Sequence, residues 1–203
     1  MLEIKLNNIS LEYNDKKILD KFSLQFNDQA KILLVGKSGI GKSTIFRILL
    51  GFQKFDSGQY LINDKNYSDY DIAEIRKNFA YVDQENSLRK LSVKKYLEEI
   101  SKFNNNTFNS VIDEKLCDYF EFEKSLFEKE ISQLSGGEKQ RLAIMISIML
   151  DRPIFLLDEC TSSLDKTLKK KVVNYFNDCE KGVIAISHDS IWDDADKFNR
   201  VEL

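Results

Sequence analysis

The sequence predicts an α/β fold built on a mainly parallel sheet. Ala30-Lys-Ile-Leu-Leu-Val35 is a nearly continuous apolar run, the pattern of a strand buried on both faces. It passes through a glycine-rich loop into helix-compatible Thr44-Ile-Phe-Arg-Ile-Leu-Leu50. Two further short apolar runs, Ile154 to Leu157 and Val183 to Ser187, have the same character and are separated by a helix expected from about Lys166 to Asp178. The chain has 203 residues, 42% hydrophobic and 31% charged, which suits one substantial core with a subdomain and is short for two domains.

Residues 2–13 alternate well enough for a strand pair or a bent strand, and Ile18 to Phe26 alternates again. Gln59 to Ile62 precedes a turn-like Asn63-Asp64, Ile72 to Lys77 reads as a short helix, and Phe79-Ala-Tyr-Val82 as another buried strand. From 93 to 128, apolar residues recur at helical spacing among Lys, Glu and Asn, with Phe103-Asn-Asn-Asn-Thr107 as an internal loop. Gly136 to Leu150 reads as one amphipathic helix, stopped before Pro153 because a residue preceding proline is driven out of the helical region.

Net charge is −3, with basic and acidic residues interspersed, so no basic face for nucleic acid is expected. Lys169-Lys-Lys171, the densest basic run, reads as a solvated helix face. Cys117, Cys160 and Cys179 lack C-x-x-C spacing, which argues against a zinc site or a disulfide framework and fits a reducing cytosol. Met1-Leu-Glu-Ile-Lys-Leu alternates like a strand, unlike a signal peptide. Leu142 to Leu150 is too short to span a bilayer, so the expectation is a protein soluble by itself, without direct bilayer insertion.

Three motifs carry chemistry. Gly36-Lys-Ser-Gly-Ile-Gly-Lys-Ser-Thr44 has the G-x-x-x-x-G-K-(S/T) form between a strand and a helix. Gly36, Lys37, Ser38, Gly39 and Gly41 would turn backbone N–H groups toward a nucleotide's phosphates, at the positive end of the following helix. Lys42 would reach the β- and γ-phosphates, Ser43 would ligate Mg2+, and Thr44 would add a phosphate contact. Asp158 and Glu159 end an apolar strand, where Asp158 would orient the metal and Glu159 polarise an attacking water. Leu134-Ser-Gly-Gly-Glu-Lys-Gln-Arg141 starts a helix and so forms a second anion site.

Together, in this order, the motifs resemble the ATP-binding cassette (ABC) ATPases over nearly the whole chain. The resemblance implies a P-loop NTPase core with a mainly parallel sheet, an N-terminal antiparallel β subdomain and a helical signature-motif subdomain. The expectation is one domain, 1–203, with the helical part at approximately 86–150. It implies ATP and Mg2+ as ligands. It also implies that Ser135, Gly136 and Gly137 complete the site of a second subunit, giving a homodimer across two ATP molecules. Gln84 matches the glutamine that contacts magnesium and the attacking water, although Asp83 stands where many members have Pro. His188, the sole histidine, matches the switch histidine that bonds the γ-phosphate and organises Glu159. Asp165 matches the residue coupling the two sites, and Tyr13 the aromatic that stacks on adenine. Cys160 reads as a small buried residue, with oxidative inhibition through its thiol as an alternative.

A small kinase or GTPase would lack the LSGGEKQR element, and no Asn-Lys-x-Asp follows a strand. A repair-type ABC protein would insert a long coiled coil between the phosphate loop and the signature. The expected function is the ATPase subunit of a transporter, with a separate membrane-spanning subunit docked near Gln84 to Arg89 and Ser92 to Ile100. The alternative is a non-transport ABC ATPase such as an iron–sulfur cluster assembly subunit. Phe127-Glu-Lys-Glu-Ile-Ser-Gln133 differs from the Gly-Glu-x-Gly phrase of fused exporters, which favours a stand-alone subunit. Such a subunit would be cytoplasmic, held at the inner face of the cell membrane through its partner.

Overall fold

A computed structural model describes residues 1–84, 91–103 and 114–203. The first layer is an antiparallel sheet in the order β2-β1-β4-β5, from β1 (Glu3–Tyr13), β2 (Lys16–Asn27), β4 (Ser57–Ile62) and β5 (Lys65–Asn66). Of residues 2–13, Glu3–Tyr13 form one bent strand, with register shifts against β2 between Leu6 and Ile9 and again before Leu11 and Glu12. Asn14 and Asp15 join β1 to β2, and Asn63 and Asp64 join β4 to β5. All four have positive φ, the mirror-image turn whose twist matches paired strands.

The second layer is a parallel sheet in the order β6-β7-β8-β3-β9: β3 (Lys31–Val35), β6 (Phe79–Val82), β7 (Ile154–Asp158), β8 (Gly182–Ile186) and β9 (Asn199–Glu202). Four of its strands, β3, β6, β7 and β8, read as mostly apolar runs because both faces are covered, while the edge strand β9 is polar and largely exposed. Ile32, Leu34, Leu156, Ile184 and Ile186 face a core shared with the antiparallel sheet and helix α1 (Lys42–Leu49). The alternate residues Leu33, Phe155, Leu157, Val183 and Ala185 face a second core shared with the helical region.

The short helix α2 (Ile72–Arg76) precedes β6, and the helical region comprises α3 (Val93–Phe103), α4 (Glu114–Tyr119) and α5 (Gly136–Met149). Residues 104–107 of the expected internal loop lie outside the described residues. Helix α5 ends at Met149, ahead of Pro153, and the chain turns through Asp151 at φ +51°. Helix α6 (Lys166–Asp178) packs on the parallel sheet through Leu168, Val172, Val173 and Phe176.

Lys31 is a buried cation that sequence periodicity did not single out. Its Nζ donates to the carbonyls of Phe176, Cys179 and Lys181, each at 2.8 Å, and so closes the end of α6. Burial holds its amine below the ordinary lysine value, partly offset by the Cys179 sulfur beside it.

Candidate active site

The carboxyl ends of β3, β7 and β8 meet the N-terminus of α1 at a cleft of about 250 Å³. Ser38, Gly39, Gly41, Lys42, Ser43 and Thr44 form one wall. Asp158, Glu159, His188 and Gln84 form another. Residues from four distant parts of the chain therefore converge because parallel strands all end on the same side of the sheet.

Gly41 shows why glycine is needed in the loop. Its φ is +112°, and a Cβ there would lie 2.8 Å from the carbonyl oxygen of Ile18. This close approach brings β2 onto the phosphate loop and puts Ile18 in the cleft wall, together with Ile186. Neither isoleucine carried a sequence signal for the site, since each reads as an ordinary strand residue.

Lys42 opens α1 and is buried. Its Nζ donates to the carbonyls of Gly36 (2.7 Å) and Lys37 (3.0 Å) and lies 3.3 Å from Nε2 of His188. Gly36 and Lys37 therefore support the loop lysine and do not line the cleft. An ammonium has three donors, so the third is met when Nε2 accepts and the ring proton sits on Nδ1.

Asp158 is 3% exposed, and its Oδ1 has no hydrogen-bond partner. Burial raises its carboxyl above the ordinary aspartate value, opposed by hydrogen bonds from Ser43 and from the Tyr81 hydroxyl, the latter at 3.5 Å. Glu159 has φ of +50°, the left-handed region that a non-glycine residue adopts only when its surroundings impose it. Its N–H donates to the Ile186 carbonyl at 2.9 Å, and its Oε1 lies 3.8 Å from His188 Nε2. Burial raises the Glu159 carboxyl, with His188 the leading opposing influence.

The signature residues lie elsewhere. Ser135 caps α5 in a reciprocal box: its Oγ accepts from Glu138 N–H at 3.3 Å, and its own N–H donates to Glu138 Oε2 at 2.6 Å. Those bonds hold the Glu138 carboxyl below the ordinary range. Gly136 and Gly137 pack under Ser163, and a Cβ at Gly137 would lie 3.1 Å from the Ser163 carbonyl oxygen. Asp165 caps α6, its Oδ1 accepting from the N–H groups of Thr167 (2.8 Å) and Leu168 (3.0 Å).

Tyr13, at the end of β1, is 70% exposed and is not part of the cleft wall described here. Gln84 reaches the cleft, while residues 85–90 of the expected docking groove lie outside the described residues. Cys160 is 1% exposed, and burial pushes its thiol far above the ordinary cysteine value. That leaves it a packed core residue and removes the reading of a reactive thiolate.

The sequence matches the ABC transporter family over residues 19–162. The chain belongs to that family. The ABC relatives include a putative export ATP-binding/permease protein of Rickettsia typhi, 36% identical over 92% of this chain and 34% of that protein. The lactococcin-G-processing and transport ATP-binding protein of Lactococcus lactis is 33% identical over 92% of this chain and 28% of its own length. The cassette thus spans only 34% and 28% of these curated relatives. Among solved structures, a dimeric bacterial ABC transporter cassette superposes with a TM-score of 0.82, at 24% identity over 98% of this chain and 94% of that one. A bacterial Atm1-family ABC exporter with ATP bound gives 0.81, at 24% identity over 94% of this chain and 35% of that one. These likenesses establish the ABC cassette fold, with its antiparallel layer, parallel sheet and helical region. Among the described residues, no helix is long and apolar enough to cross a membrane.

Proposed function

We propose that this chain binds and hydrolyses ATP for an export-type ABC transporter, driving a membrane-spanning partner by ATP-dependent dimerisation. The observation that carries the reading is the convergence of Lys42, Asp158, Glu159, His188 and Gln84 on one cleft. Family membership and the export names of the relatives supply the transport part. Homodimerisation rests on the helix start at Ser135, Gly136 and Gly137, a position suited to an anion that is not among the residues lining the chain's own cleft, with Asp165 capping the next helix, α6, as the coupling residue.

In this reading the phosphates enter at the N-terminus of α1, where Gly39, Gly41, Ser43 and Thr44 present the loop backbone. Lys42 exchanges its bonds to Gly36, Lys37 and His188 for phosphate oxygens. Asp158 Oδ1, buried and unpartnered beside the Ser43 hydroxyl, fits Mg2+, whose hard oxygen ligands are a carboxylate or its water, a hydroxyl and phosphate. Ser43, Asp158 and Gln84 would hold the ion, and when bound it supplies positive charge to the β- and γ-phosphates. Glu159 accepts the proton of the attacking water, His188 bonds the γ-phosphate, and Tyr13 stacks on adenine. The membrane partner keeps the cassette at the inner, cytoplasmic face of the cell membrane.

The test is a pull-down of tagged Glu159→Gln protein with Mg2+ and ATP from detergent-solubilised native cells, read by mass spectrometry. Recovery of one multi-spanning membrane protein supports transport and names the partner. Recovery of only soluble assembly factors would replace it with the iron–sulfur assembly alternative while leaving the ATPase chemistry standing.

A further inference from the structure

Gln140 belongs to the signature helix but is fully buried, at 0% exposure, and takes no part in the second subunit's site as described above. Its side chain lies between that helix and the loop that follows Glu159. Nε2 donates to the Glu159 carbonyl at 3.4 Å, and Oε1 accepts from the Ser163 N–H at 3.4 Å. The two ends of the amide are not interchangeable here, because a flipped amide would set acceptor against acceptor and donor against donor.

The Glu159 peptide is held on three sides. Its N–H is bonded to Ile186 of β8, and its carbonyl accepts from both the Ser162 N–H (3.1 Å) and Gln140. This is the peptide whose φ is +50°. A conformation of that kind persists only where neighbours impose it, and Gln140 is the side chain that does so from outside the strand and its loop. Gly136 lies one helical turn before Gln140 and so on the same face of α5. That face meets the loop at Ser163, which lies in van der Waals range of a Cβ at Gly136 and closer still, at 3.1 Å, to one at Gly137.

We propose that Gln140 is a positioning residue for the general base, linking the helix that reaches toward a second subunit to the Glu159 of its own chain. The inference rests on the reading of Glu159 as the base. A shift at the start of α5 is passed through the Gln140 amide to the Glu159 peptide, which sets where the carboxylate points. No bond is made or broken in this role. It aligns a group whose displacement by an ångström costs about a hundredfold in rate.

The experiment compares steady-state ATPase activity and nucleotide binding of the wild type, Gln140→Leu, Gln140→Glu and Glu159→Gln. Gln140→Leu keeps the volume and removes both bonds. Its kcat is expected to fall about ten- to a hundredfold, with ATP affinity within about twofold of wild type. Gln140→Glu keeps the acceptor for Ser163 but donates to the Glu159 carbonyl only when protonated. The ratio of its kcat to that of wild type is therefore expected to rise as the pH is lowered, even as both rates decline. This second variant decides the matter should the leucine variant fail to melt cooperatively.

A Gln140→Leu kcat within about twofold of wild type, or a pH-independent ratio for Gln140→Glu, overturns the positioning role. A wild type that does not hydrolyse ATP, or a Glu159→Gln variant that hydrolyses it normally, instead sinks the underlying assignment of the base. A purely structural glutamine would lower stability without separating kcat from ATP affinity.

Discussion

Nζ of Lys42 stands 3.3 Å from Nε2 of His188, across a sequence separation of 146 residues. The lysine donates its other protons to Gly36 and Lys37, so the loop and the histidine together satisfy it before any phosphate arrives. The ring Nε2 of His188 in turn lies 3.8 Å from Oε1 of Glu159, too far for a hydrogen bond between those two atoms but close enough for charge to be felt. The histidine thus stands between the loop lysine and Glu159, which is where the proposed γ-phosphate contact would place it.

His188→Ala keeps the lysine's bonds to Gly36 and Lys37, removes its third partner and, on the proposed reading, removes the contact to the transferred phosphate. The expected result is a kcat lower by about 10²-fold, with nucleotide affinity changed far less. Steady-state kinetics with direct binding by fluorescent nucleotide separates the two, and a proportional loss of both would show a binding role.

The Glu159 carboxyl is raised chiefly by burial, while His188 pulls it down. A general base works when deprotonated, so activity falls as pH drops through its pKa. The acid limb of kcat/KM is therefore expected above 4.5, the ordinary glutamate value. A limb at or below that value would contradict the burial argument.

Asp158 is also raised by burial, so the folded chain binds its proton more tightly than the unfolded chain does. Stability from this group is present at low pH and declines as the pH rises through the folded pKa. Asp158→Asn should accordingly raise the thermal midpoint at neutral pH, by about 2–4 °C per kcal/mol regained. The gain should shrink on acidification, and hydrolysis should be lost. Calorimetry across pH with an ATPase assay measures both.

Much of the site could be read in the chain because its groups are adjacent to local signals. The phosphate loop needs a strand before it and a helix after it, and the runs ending at Val35, Asp158 and Ile186 are apolar enough to reveal three parallel strands. Asp158 ends β7, Glu159 follows it directly, and Gln84 and His188 come just after β6 and β8, so topology brings them together. Ile18 and Gln140 were invisible because their roles arise from contacts between distant elements, which no periodicity records. Lys31 hid for the same reason: the carbonyls it satisfies lie around 145 to 150 positions away. Cys160 was left open in the sequence, and burial decided it.

The most direct test of the account is size-exclusion chromatography with light scattering on Glu159→Gln protein, with and without Mg2+ and ATP, beside a hydrolysis assay. The expected result is a variant that binds ATP, runs as a dimer only when ATP is present, and hardly hydrolyses it. Normal turnover, or a monomer at saturating ATP, would contradict it.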